Sequence, residues 1–201
     1  TGGGTQKQFS QELRLATRFE GGFNFIVGGF YLNSRGSGYV DTWTPANRLS
    51  GAVSKFSTRL GQVESYAVFG EAYVDLTQNL KLTGGLRYTH DEKHIETASG
   101  TFALSPYFIS DAEFDKVTGR AILNWNPTVS FTEDTNIYVS FSRGFKSGGF
   151  NPGNNTIPVF DSEVIDAYEL GIKNTFLDGK GRLNLAFFNY DYSNLIVGNL
   201  V

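Results

Sequence analysis

The sequence predicts an all-β protein, an antiparallel transmembrane β-barrel segment of about eight strands. Three observations predict it. Apolar and polar residues alternate in eight stretches, and the gaps between those stretches alternate short and long. All five prolines fall in the gaps. Side chains on a strand point to opposite faces in turn, so alternation leaves one greasy face and one polar face. A soluble sandwich shares that alternation. Tight turns at one end with long loops at the other distinguish a membrane barrel. Proline lacks a ladder donor, so its confinement to the gaps supports the strand assignment.

The predicted strands cover about residues 9–18, 24–34, 65–76, 80–91, 116–125, 136–145, 167–175 and 182–196. Residues 80–89 are the clearest. Leu80, Leu82, Gly84, Leu86 and Tyr88 alternate with Lys81, Thr83, Gly85, Arg87 and Thr89. The first strand sets Phe9, Leu13 and Leu15 against Ser10, Glu12, Arg14 and Ala16. The third sets Tyr66, Val68, Ala72 and Val74 against Ala67, Phe69, Glu71, Tyr73 and Asp75. In the fifth, Val117, Ala121, Leu123 and Trp125 oppose Thr118, Arg120, Ile122 and Asn124. The seventh opposes Tyr168, Leu170 and Ile172 to Glu169, Gly171 and Lys173. Strands two and eight are apolar or aromatic on both faces, so their pattern sets no orientation.

The short connections carry turn residues: Glu20-Gly21-Gly22, Thr77-Gln78-Asn79 and Asp178-Gly179-Lys180-Gly181. Residues 126–135, with Asn-Pro, are somewhat longer. The long connections are residues 35–62, 92–115 and 146–166. Phe19, Phe23, Trp125, Phe131 and Phe176 lie near the short turns. Tyr31, Tyr66, Tyr88, Phe141, Phe145 and Tyr168 lie near the long loops. Two aromatic girdles around an apolar band fit a barrel wall.

Composition excludes several classes. Charged residues are 18% of the chain and aromatics 15%. The net charge of −3 lacks the basic balance of a nucleic-acid binder. With no Cys there is neither a disulfide framework nor a thiolate nucleophile. No apolar run reaches the ~18 residues of a membrane helix, which leaves barrel strands untouched. His90 and His94 flank Asp91 and Glu92, but on a strand they stand roughly 13 Å apart, too far for one metal ion. No nucleophile motif accompanies either His, and Ser147-Gly148-Gly149 lacks the Lys-Ser/Thr and helix of a phosphate loop. The sequence thus predicts no enzyme, metal or cofactor.

Residues Tyr138 to Asn151 read YVSFSRGFKSGGFN and resemble a strand-and-loop segment of TonB-dependent outer-membrane receptors. Tyr168-Glu169-Leu170-Gly171-Ile172-Lys173 and the aromatic run from Leu183 to Tyr192 are similar to that family's next two strands. So are Phe9 to Leu15, Ala67 to Glu71 and Gly84 to Thr89, in the same order. The resemblance covers nearly the whole chain. It implies a 22-stranded barrel in the outer membrane of a Gram-negative bacterium. An N-terminal plug fills such a barrel, and the TonB complex energises import. The implied substrate is a ferric siderophore, with an oligosaccharide the close second.

Residues 1–201 are then expected to be a partial barrel domain, without plug or terminal strands. The competing expectation is a self-contained eight-stranded barrel with a structural or adhesive role. Arg35, Tyr39, Trp43 and Arg48 are the ligand-binding candidates, assigned to the first long loop. Guanidinium suits anions and aromatics suit planar rings. Glu12, Arg14, Glu71, Arg87, Glu169 and Lys173 are expected to face the lumen and the plug.

Overall fold

A computed structural model describes residues 1–42, 53–101, 104–151 and 158–196. Among the described residues there are ten strands: β1 (Gly2–Ala16), β2 (Phe23–Thr42), β3 (Ser54–Thr77), β4 (Leu80–Thr101), β5 (Phe108–Trp125), β6 (Asp134–Lys146), β7 (Gly149–Phe150), β8 (Val159–Phe160), β9 (Glu163–Phe176) and β10 (Gly181–Ser193). Eight of them form one sheet in the order β1-β2-β3-β4-β5-β6-β9-β10, antiparallel throughout. β7 and β8 make a small separate hairpin inside the β6–β9 connection.

The sheet is an open meander. β1 and β10 each have one neighbour among the described strands and do not pair with each other. The self-contained barrel, which needs that closure, is therefore not the architecture found.

Register aligns the faces across the sheet. Leu13, Gly29, Val68, Tyr88 and Val117 lie in line on one side. Glu12, Phe30, Ala67, Thr89 and Lys116 lie in line on the other. The apolar side is the open one: Leu86 is 68% exposed and Val68 62%. On the polar side Ala67, Thr83 and Thr89 are buried. The apolar face is thus convex and the polar face concave, the reverse of a water-soluble sandwich.

The same register orients the two ambiguous strands. Phe25, Val27 and Tyr31 of β2 share the convex face with Ala72, Gly70 and Tyr66. Ile26, Phe30 and Leu32 therefore point to the concave face. On β10, Leu185 and Phe187 pair with Ile172 and Leu170 on the convex side, and Ala186, Phe188 and Tyr190 face inward.

The girdles form on the convex face. Tyr31 and Tyr66 have ring centroids 5.2 Å apart, and Phe141 and Tyr168 5.1 Å. At the opposite end Phe19 and Phe23 each lie about 6 Å from Phe25. Between the girdles run about nine to eleven residues per strand, the length that crosses a bilayer.

Two expectations are corrected. β2 and β3, and β4 and β5, continue as paired strands well past the upper girdle. Polar residues sustain the ladder there because both faces meet water. β3 absorbs a bulge between Thr58 and Leu60. The described parts of the first two predicted long loops are thus mostly strand. In addition, residues 146–166 contain the β7–β8 hairpin.

At the other end the β9–β10 turn is tightly specified. Leu177, Asp178 and Gly179 all have positive φ (58°, 54° and 77°). Their turn presents the N–H groups of Asp178 and Gly179 to the Glu133 carboxylate, the latter at 2.7 Å.

Candidate functional site: the concave face and its upper strap

All six residues expected to face the lumen occupy the concave face. Arg120 donates to Glu71 through Nε at 2.6 Å and Nη2 at 2.8 Å, and Tyr73 donates to the same carboxylate at 2.5 Å. Glu71 thereby ties β3 to β5 across the intervening Gly85 of β4. Arg87 donates to Thr89 at 3.1 Å and stacks its guanidinium over Phe30 (5.4 Å) and Phe69 (5.6 Å). On β1 Arg14 donates to Glu12.

Glu169 and Lys173 converge on one ring. Tyr138 lies across Gly171 of the neighbouring strand, where an added Cβ would stand 2.3 Å from the ring. Its hydroxyl donates to Glu169, and the Lys173 ammonium sits 5.1 Å from its centroid. Glycine is required here because the ring occupies the place of a side chain. The six residues and Arg120 are thus engaged through two ion pairs, a tyrosine–carboxylate bond and cation–π contacts.

A strap crosses the upper concave face. It leaves β6 at Ser147, forms the β7–β8 hairpin and enters β9 after Ser162. Lys93 of β4 donates to the Gly148 carbonyl and lies 5.4 Å from the Phe114 ring. The Gly148 N–H donates to Ser162 Oγ at 3.2 Å. Phe114 and Ser162 are buried and Lys93 is half-buried. Burial lowers the Lys93 pKa, while Asp91 opposes that shift. The strap coincides with Ser147-Gly148-Gly149-Phe150, the run that resembled an outer loop base. Lys93 and Phe114 carried no sequence signal of their own, because their partner is brought in by the strap.

The ligand candidates divide. Arg35 and Tyr39 are strand residues of β2, not loop residues. Arg35 pairs with Lys7 and Gln62, and Tyr39 with Gly3 and Ser57, all on the convex side. The error lay in ending the strand at residue 34. Trp43 and Arg48 lie outside the described residues. His90 and His94 sit on one strand, each engaged with its own pair of carboxylates. Among the described residues no group of three His, Cys, Asp or Glu is placed to hold a metal.

A convex apolar belt between aromatic girdles, backed by a charged concave wall, defines a segment of an outer-membrane β-barrel with an occupied or watered interior. The family model described as TonB dependent receptor-like, beta-barrel matches residues 1–201. The chain belongs to the TonB-dependent receptor β-barrel family, a family of transport receptors rather than enzymes.

Among solved structures it is similar to the ferric yersiniabactin uptake receptor FyuA from Yersinia pestis, with a TM-score of 0.77 and 20% identity over 96% of this chain and 29% of that one. It is also similar to the siderophore receptor PiuA from Acinetobacter baumannii (TM-score 0.71, 21% identity, 93% of this chain and 32% of that one). The closed form of the ferric-catecholate import receptor Fiu from E. coli K12 follows at 0.61 and 18% identity, over 98% and 32%. At such identities the likeness is one of fold. The chain spans about a third of the length of these structures. No curated protein sequence matches it.

Proposed function

We propose that residues 1–201 form part of the wall of a TonB-dependent receptor that imports a ferric siderophore across a Gram-negative outer membrane. The observation that carries this reading is the family match over the whole chain, with an open sheet whose two edges call for neighbouring strands. The similar structures named above are siderophore receptors, which favours a ferric chelate over an oligosaccharide.

In this reading the intact receptor adds the plug, the remaining strands of a 22-stranded barrel and the segment that engages the TonB complex. Lipid contacts the convex face. The pairs Glu12–Arg14 and Glu71–Arg120, with Arg87, Glu169 and Lys173, face the plug. Capture takes place at the mouth. Arg35 and Tyr39 of β2 are the proposed contacts, with Trp43 and Arg48 following them in the sequence.

The test is uptake by the full-length receptor in iron-starved cells lacking their own siderophore receptors. Labelled ferric siderophore should accumulate only when both the receptor and TonB are present. Accumulation of labelled oligosaccharide instead would replace the substrate. Uptake indifferent to TonB would remove the energised mechanism.

A further inference from the structure

We infer that the β4–β5 hairpin, from the upper girdle outward, is a proton-dependent clasp, closed when His90 and His94 are protonated and loosened when they are neutral. It rests on four contacts repeated along one strand. His90 Nδ1 is 2.9 Å from Asp115 and its Nε2 3.3 Å from Glu92. Four residues on, His94 Nδ1 is 2.7 Å from Asp111 and its Nε2 3.3 Å from Glu96. Each ring thus faces a carboxylate from β5 with one nitrogen and a carboxylate of its own strand with the other.

Tautomer chemistry makes this arrangement depend on a proton. An imidazolium donates from both nitrogens, so both carboxylates are satisfied. A neutral imidazole donates from one only, and its bare nitrogen then meets a carboxylate oxygen lone pair to lone pair. The surrounding register sharpens the effect. Glu64 of β3, Glu92 of β4 and Glu113 of β5 stand directly opposite one another. Like charges so placed oppose strand pairing.

The two rings lie on either side of this row, and Arg35 of β2 also acts on its Glu64 end. Around His90 the other groups are Tyr66 and Glu64 on β3, Tyr88 and Glu92 on β4, and Glu113 and Asp115 on β5. Tyr66 and Tyr31 already donate to Glu64, and Tyr88 to Asp115. Around His94 they are Glu92 and Glu96 on β4, Asp111 and Glu113 on β5, and Arg59 of β3. Arg59 is committed to Glu96 and lies over Tyr107.

Donation from the protonated ring to Asp115 raises the His90 pKa, and donation to Asp111 that of His94, in each case above the ordinary 6.5. A raised folded value means the folded hairpin holds its protons more tightly than the unfolded strand does. The clasp is therefore fully present below about pH 6.5 and is lost as pH rises through the folded values. This inference concerns the chain's own hairpin and does not depend on which substrate the receptor imports.

The experiment is hydrogen exchange on the full-length receptor in lipid bilayers at about pH 5 and about pH 8, expressed as protection factors. Amides at 90–96 and 109–115 should lose at least about tenfold protection at the higher pH, with 80–88 and 117–125 unchanged. His90→Gln/His94→Gln should abolish the difference. If that variant does not insert, Asp111→Asn/Asp115→Asn keeps both rings and should move the transition to lower pH. Equal protection at both pH values overturns the inference, as does a loss that persists unchanged in His90→Gln/His94→Gln or a transition pH, followed between about pH 5 and about pH 8, that does not move in Asp111→Asn/Asp115→Asn.

Discussion

Adjacent residues on one strand meet different solvents, and that contrast decides what each position tolerates. Leu86 is exposed on the convex belt, while Arg87 lies inward beneath Phe30 and Phe69. Leu86→Arg places a charge near the bilayer midplane and should cost about 2–4 kcal/mol. Arg87→Leu removes only its cation–π contacts and one hydrogen bond and should cost about 0.5–1 kcal/mol. Urea titration of the receptor refolded into lipid vesicles separates the two, and equal costs would reverse the assignment of faces.

Leu177 is a bulky residue held at φ 58° on the β9–β10 turn. The left-handed region costs a residue with a Cβ roughly 1–2 kcal/mol. Leu177→Gly should therefore stabilise the fold by about 0.5–1 kcal/mol, read as a rise in thermal midpoint. A fall in the midpoint would show that its side chain contributes packing that its 69% exposure does not suggest.

At the scale of elements, strand length and strap are the features that shape the mouth. β3 and β4 share a continuous ladder from Ser54–Thr101 down to Thr77–Leu80, broken only by two local irregularities. The paired wall therefore rises far above the membrane belt and carries the connections on stiff supports. The strap is fixed to that wall by Lys93 and Phe114 at Gly148. Lys93→Met keeps much of the aliphatic stem but loses the donor. It should raise hydrogen exchange at Gly148 and Gly149 by about tenfold while leaving β4 amides protected. Exchange that is unchanged would mean that Phe114 packing and the Ser162 bond hold the strap without the ammonium.

Among the described residues the molecule as a whole is a wall with a convex apolar side, a concave polar side and two unpaired edges. β1 is exposed along its whole length, as is all of β10 but its first residue. Unpaired backbone groups are costly in lipid and prone to pairing with other strands in water. Residues 1–201 alone, diluted from urea into buffer, should sediment as aggregate and should stay dispersed when detergent is present. A monodisperse, detergent-free species would show that the convex belt is covered by some other packing.

The sequence by itself determined the strand alternation, the antiparallel meander, the two girdles and the inward set of charges. Those features follow from side-chain period and turn chemistry, both local along the chain. Ordered motifs from Phe9 to Tyr192 also carried the family, since each is a contiguous run. Only the tertiary structure decided the rest. Strands β2 and β10 are apolar on both faces, so their orientation came from register with β3 and β9. The upper strands are polar on both faces, so neighbouring strands rather than hydrophobic pattern revealed their length and moved Arg35 and Tyr39 out of a loop. The grip of Lys93 on Gly148, the Tyr138 ring over Gly171 and the cross-strand contacts of the His–carboxylate clasp join residues between seventeen and fifty-five positions apart. Contacts of that kind depend on which strands become neighbours, and no local pattern records it.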